Sequence, residues 1–198
     1  ELAPYLKSYL KAFPRVNFRL QYDQAQKIYD DVSSSEIDLG IVPYPRAQRN
    51  VDVIEFTENE MVVITPPDHA LAQKGRVEAK DLAEYPLILF TQETPTRKAI
   101  DRFFRKHNVR PNVVMELDHI ATMKHAVEVD IGISIVPLNS IEEELERDTL
   151  SYSPLEDKGF VRPLGILYRK GRSLSVATQK LLDVLLDGAG KEPFVPTR

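Results

Sequence analysis

"EIDLGIVP" (Glu36–Pro43) and "VDIGISIVP" (Val129–Pro137) are two versions of one phrase: an Asp, one residue, a Gly, a short run of branched apolar residues and a closing Pro. Each follows apolar residues at helical spacing, namely Ala25, Ile28 and Val32 before the first and "HIATMKHAVEV" (His119–Val129) before the second. The phrase therefore reads as a helix end, a turn and the start of a buried strand, which Pro stops because it cannot donate to a ladder. One copy in each half predicts two similar α/β lobes. Asp130 stands where a helix end favours Gly, so a positive φ is expected there.

Working outward, Leu2, Leu6, Leu10 and Phe13, with Tyr5 and Tyr9 beside them, predict a first helix ending at Pro14. Val16, Phe18 and Leu20 then alternate as a strand does, and a second helix breaks up in Ser33–Ser35. "LGIV" and "MVVIT" (Met61–Thr65) read as short strands. "PPDHALAQKG" (Pro66–Gly75) breaks the rhythm and is the first candidate crossing between lobes. Beyond it come "PLILF" (Pro86–Phe90), the helix "PTRKAIDRFFRKH" (Pro95–His107), "NVVMEL" (Asn112–Leu117), the helix from His119, and "GISIV" (Gly132–Val136). Strands separated by helices of this length imply βαβ units and a mainly parallel sheet. Ser140 and Glu143 have capping-box spacing. "RPLGILYRK" (Arg162–Lys170) reads as a strand, and "SLSVATQKLLDVLLDG" (Ser173–Gly188) as the last helix. A second crossing at Arg162 or Pro163 gives lobe I as residues 1–66 and 163–198 and lobe II as 67–162. The tail "KEPFVPTR" (Lys191–Arg198) is too polar and Pro-rich to be assigned an element.

Composition narrows the chemistry. With no Cys, thiolate nucleophiles, thiolate metal sites and disulfides are excluded. No apolar run approaches the roughly 18 residues of a membrane helix, so a cytoplasmic location away from any membrane is expected. The formal net charge of -4, with Lys and Arg read as dispersed among the acids, makes the chain alone a poor nucleic-acid binder.

In order and spacing, "LAPYLKSYLKAFPRVNFRLQ", "SSSEIDLGIV", "MVVITPPDHALA", "VEAKDLAEYPLILF" and "MKHAVEVDIGISIVP" resemble the effector-binding domain of LysR-type transcriptional regulators over nearly the whole chain. The resemblance implies two Rossmann-like lobes of the type II periplasmic-binding-protein kind joined by two crossovers, with a small-molecule effector between them. It also implies a separate N-terminal winged helix-turn-helix that binds DNA, and assembly as a homodimer or homotetramer. Family members have a strand before the first helix; here Glu1 already lies at the helix start, so that strand and the DNA-binding domain are expected to be missing from this chain, either because it is cut there or because the lobe compensates for the strand.

The candidate effector residues follow from the strand ends. In "FTQETPTRK" Thr94 is placed to cap, Pro95 suits the first helical position, and Thr96 and Arg97 sit in the first turn, where hydroxyls, free N–H groups and a guanidinium would hold an anion. The alternative is plain capping with an exposed Arg; the resemblance favours the site for Thr94 and Thr96. In "LDHIATMK" Asp118 is expected to cap, with His119, Ile120 and Thr122 in the first turn; His119 would donate to a carboxylate, or be only a helix-end His. Pro43 and Tyr44 follow one cleft-facing strand, and Ile64 and Thr65 end another.

No metal is assigned, because His119 and His125 are six residues apart and fall on different helix faces. No cofactor is assigned. His69 lacks an identifiable catalytic partner, so no enzymatic activity is expected. "IEEELERD" (Ile141–Asp148) reads as a solvated helical face. Tyr5 and Tyr9 widen the apolar surface of the first helix, and family dimers use this helix; a broad core face is the alternative. Three readings stand: a regulator's ligand-sensing domain, a free-standing small-solute-binding protein, and an enzyme on this fold.

Overall fold

The structure is a computed structural model that describes residues 2–157 and 159–191. The tail from Glu192 onward lies outside the described residues. The chain divides into two compact units, Glu1–Glu58 with Pro163–Arg198, and Asn59–Arg162. It passes between them inside two strands, β2 (Val51–Thr65) and β7 (Val161–Arg169). Pro66–Gly75 holds a one-turn 3-10 helix, Ala70–Gln73, within the second unit.

In the first unit α1 (Ala3–Ala12) and α2 (Ala25–Ser34) precede β1 (Leu39–Pro43), which runs antiparallel to β7 from Leu39 opposite Tyr168 to Pro43 opposite Leu164. Phe56, Leu164 and Ile166 form one apolar cluster with Leu182, Leu185 and Leu186 of α7 (Val176–Gly188). The expected strand at Val16–Leu20 is absent. Those residues are half-buried or exposed, and alternation alone does not make a strand where no ladder partner lies beside it. Tyr5 and Tyr9 belong to the interior of their own unit. Tyr9 is 1% exposed and donates to Ala177 O at 2.8 Å, while Tyr5 meets Phe56 edge-on at 5.8 Å. Tyr9 therefore adds no outer surface to α1, Tyr5 is half-buried, and Leu10 is the helix's exposed large apolar residue.

The second unit contains α3 (Ala79–Leu82), β3 (Pro86–Phe90), α4 (Pro95–Lys106), β4 (Asn112–Leu117), α5 (Ile120–Glu128), β5 (Ile133–Pro137), α6 (Glu142–Glu146) and β6 (Ser151–Pro154). β3 is parallel to both β4 and β5, as helical crossovers require. β2 runs antiparallel to β5 and β6. The mainly parallel sheet expected from βαβ spacing therefore holds only for strands joined through α4 and α5. β2 arrives from the first unit with no crossover helix to set its direction. Its first ten residues, Val51–Glu60, also extend far beyond the predicted "MVVIT", because acid-rich "NVDVIEFTENE" hides its strand character. Ser140 does not cap α6; its hydroxyl donates to Pro137 O at 2.6 Å and Ile141 takes the N-cap position. The reciprocal arrangement occurs at α3, where Glu78 N–H donates to Asp81 Oδ2 at 2.8 Å.

Both versions of the repeated phrase follow the same helix terminator. After α5, Asp130 takes φ 57°, Ile131 N–H donates to Ala126 O at 3.1 Å and Asp130 N–H to Val127 O at 2.9 Å. After α2, Ser35 takes φ 66°, Glu36 N–H donates to Asp31 O at 2.9 Å and Ser35 N–H to Val32 O at 3.1 Å. This double closure satisfies carbonyls that a helix end leaves unpaired. The left-handed residue of the first copy is thus Ser35, not Asp38. Asp130→Gly is expected to raise stability in urea by about 0.5–1 kcal/mol, since Gly takes this conformation without the Cβ penalty. Ser35→Gly should gain less, because it also deletes the hydroxyl that accepts from Arg169 Nη1 at 2.7 Å.

Candidate functional site

The parallel ladders bring the carboxyl ends of β3, β4 and β5 (Phe90, Leu117 and Pro137) to one edge of the second unit's sheet, where α4 and α5 begin. Helix N-termini there offer unpaired N–H groups and a positive dipole end. Thr94 caps α4: its Oγ1 accepts from Arg97 N–H at 3.1 Å and donates to Thr91 O at 2.9 Å. Pro95 opens the helix, where a missing N–H costs nothing. Thr96 is 3% exposed, and its hydroxyl has no hydrogen-bond partner among the described residues. The Thr96 oxygen is not among the fully buried polar atoms that lack a partner, so solvent still reaches it and a ligand oxygen can take that place. It sits at the positive end of a twelve-residue helix.

Arg97, beside it, is taken up by its own unit. Nε donates to Asp101 Oδ1 at 2.9 Å, and Nη1 to Phe90 O and Glu116 Oε1 at 2.7 Å each. Gln92 adds a second donor to Glu116 Oε1 at 3.2 Å. Glu116 is consequently held below the ordinary carboxylate pKa, first by its hydrogen bond from Arg97 and then by that from Gln92. The guanidinium fork ties the start of α4 to the ends of β3 and β4, which is a positioning role.

At α5 the N-cap is His119, with no side-chain cap bond, so Asp118 does not cap as expected. His119 is 74% exposed, with Nε2 3.8 Å from Asp118 Oδ1. Thr122 folds back to donate to His119 O at 3.1 Å, and Ile120 is half-buried. Thr65 lies elsewhere. Ile64 pairs with Ser134 and Met61 with Pro137, so the antiparallel β2 carries Thr65 to the opposite sheet edge, fully buried and donating to Pro66 O at 3.0 Å. The same reversal brings Asn59 to the edge where α4 and α5 start. Asn59 is 6% exposed and accepts from Asn139 Nδ2 at 3.1 Å. Sequence reading missed this pair, because only the strand's direction reveals it. Pro43 and Tyr44 are in the first unit, where Tyr44 takes φ 50° and donates its N–H to Pro163 O at 2.8 Å.

His69 serves the local fold. Its Nδ1 accepts from Leu71 N–H at 3.1 Å, and its ring lies edge-on to Tyr85 at 4.7 Å. Among the described residues no group of three or more His, Cys, Asp and Glu side chains is placed to hold a metal ion, and no helix is long and apolar enough to cross a membrane.

Comparison with known proteins agrees with this architecture. The chain is 28% identical over 180 residues to the HTH-type transcriptional activator CmpR of Synechocystis sp., covering 91% of this chain and 59% of that protein. It is 29% identical over 176 residues to the RuBisCO operon transcriptional regulator of Allochromatium vinosum, covering 89% and 58%. The chain thus spans about three fifths of the length of these relatives. The CcmR regulatory domain of Synechocystis PCC6803, solved in complex with 2-PG, superposes with a TM-score of 0.85 at 26% identity, covering 95% of this chain and 90% of that one. The family described as LysR substrate binding domain matches residues 2–190, and the chain belongs to that family.

Proposed function

We propose that this chain is the ligand-sensing domain of a transcription regulator and that it takes a small anionic effector at the edge where α4 and α5 begin. The observation that carries the reading is the Thr96 hydroxyl, on a residue 3% exposed and without a partner at a helix N-terminus. Thr94, Pro95 and Thr96 form the anion-facing turn, Arg97 fixes it, and His119, Ile120 and Thr122 flank it from α5. Asn59 and Asn139 join them from β2 and the turn after β5, and Pro43 and Tyr44 are the first unit's candidates. The CcmR domain with its bound 2-PG supports a small-molecule role. In this reading the domain is non-catalytic and cytoplasmic, and it works as a homodimer or homotetramer. DNA is recognised through a separate N-terminal winged helix-turn-helix.

A thermal-shift panel of sulfate, phosphate, 2-PG, and aliphatic and aromatic carboxylates tests this on the chain itself. A true effector at a hundred times its dissociation constant stabilises the fold by about 2.7 kcal/mol. Thr96→Val keeps the shape but removes the hydroxyl, and should weaken that effector by about tenfold or more, as expected for a hydrogen bond to a charged group. No shift with any compound from a folded sample, or equal binding by the variant, refutes the site.

A further inference from the structure

The chain carries a formal charge of -4, yet between Arg97 and Arg110 six of fourteen residues are Lys or Arg and Asp101 is the sole acid. The expectation of dispersed cations fails at α4. Arg97 is buried and holds Asp101. Lys98, Arg102 and Arg105 are exposed at i, i+4 and i+7, one helical face, and Arg110 is exposed just beyond the helix. Among the described residues none of these four has an ion-pair or hydrogen-bond partner on its side chain, whereas Lys106 is joined to Asp157 at 2.8 Å. Asp101, the one acid on this helix, is committed to Arg97, so the four exposed cations are left without an ion pair and the face suits an anion larger than the small one proposed at the helix start.

The make-up of the face selects the kind of anion. The apolar residues of α4, Ala99, Ile100, Phe103 and Phe104, are all buried, so no apolar anchor is presented outward. Protein interfaces depend on apolar or aromatic centres. His107 and Asn108 are exposed beyond the helix end, but α4 itself presents no exposed Asn, Gln or aromatic residue to read or stack on bases. What remains suits a regularly charged backbone. Lys98 to Arg105 spans about 10 Å along the helix at 1.5 Å per residue, which matches about three successive phosphates of one strand in duplex DNA.

We infer that the outer face of α4 is a sequence-independent contact for the phosphate backbone of duplex DNA. The inference rests on the regulator reading above, in which DNA held by another domain lies near this one. Tethering of that kind gives an effective concentration on the order of millimolar, so a contact too weak to retain the isolated domain on DNA at physiological salt still contributes. Because Thr96 and the stripe share one helix, an effector that displaces α4 also displaces the contact.

The test is fluorescence anisotropy of a labelled duplex titrated with this chain at low and rising salt, beside the variant K98Q/R102Q/R105Q. The wild type is expected to bind any duplex sequence alike, with log K falling against log salt at a slope of about -3. The variant should lose at least about tenfold in affinity at the lowest salt and most of the slope, with its melting temperature unchanged. The inference is overturned by absence of binding at the lowest salt, by a variant that binds as well as the wild type, or by polyglutamate competing as well as DNA of equal charge, which would indicate an acidic protein partner. The anion-induced thermal shift of K98Q/R102Q/R105Q separates this outcome from the sensor reading: a retained shift without DNA binding removes the DNA contact alone.

Discussion

Gly132→Ala is expected to destabilise the second unit by about 3 kcal/mol, at the upper end of overpacking effects. A Cβ at this position would lie 2.5 Å from Pro86 O and 3.0 Å from Pro86 C, both backbone atoms. Pro86 cannot recede cheaply, because the next residue, Leu87, pairs with Ile133 in the β3–β5 ladder and both side chains are buried. Gly40, its counterpart in the first copy of the phrase, meets the Ile28 and Val32 methyl groups at 2.4 and 3.2 Å instead. Those Cγ2 methyls belong to β-branched side chains that are stiff at χ1 in a helix, but they are side-chain rather than backbone atoms and Ile28 is only half-buried, so Gly40→Ala should cost about 1–2 kcal/mol, less than Gly132→Ala. Neither glycine takes a positive φ, so space alone is at issue. Urea unfolding of the two variants checks this. A smaller loss for Gly132→Ala than for Gly40→Ala would show that β3 yields where the geometry says it cannot.

These two glycines also show what a sequence reveals. The Gly and the stopping Pro of the repeated phrase are local signals that the structure accounts for as a point of close approach and a strand end, whereas the Asp is the left-handed helix terminator only in the second copy, Ser35 taking that place in the first. Local periodicity likewise placed β3, β4, β5 and all the long helices, because an amphipathic face must be written into consecutive residues. Strand direction is not written that way. β2 has the composition of any buried strand at "MVVIT", and only its pairing with β5 and β6 shows that Thr65 leaves the candidate site while Asn59 joins it. The Val16–Leu20 alternation fails for the same reason, since a ladder needs a neighbour that the segment itself does not specify. At α4 the cap and the Pro are legible in consecutive residues. The partners of Arg97 are not, because Glu116 lies on another element nineteen residues away.

Arg97→Met is expected to cost about 2–3 kcal/mol, and Arg97→Lys nearly as much. Arg97 is 6% exposed and supplies Nε and Nη1 to two carboxylates and the Phe90 carbonyl. Lys offers one ammonium in place of the planar fork and cannot reach three acceptors in those directions. Removing one partner of a fully buried ion pair costs about 3–5 kcal/mol, but Asp101 and Glu116 are each about one third exposed and recover part of their hydration, which sets the lower figure. The pH dependence identifies the cause. Glu116 has its pKa lowered in the folded protein, so its contribution is fully present above the unfolded value of 4.5 and is lost as pH falls through the lower folded value. Wild-type stability should therefore fall on acidification below about pH 4.5, and Arg97→Met should flatten that part of the curve while lowering stability at neutral pH. A Met variant with an unchanged acid limb would mean that Gln92 alone holds Glu116 ionised. If α4 also loses its anchorage, effector affinity should drop in Arg97→Met even though the guanidinium is already committed to Asp101, Glu116 and the Phe90 carbonyl. Equal affinity in a folded Arg97→Met protein would show that the cap at Thr94 is enough to position the turn.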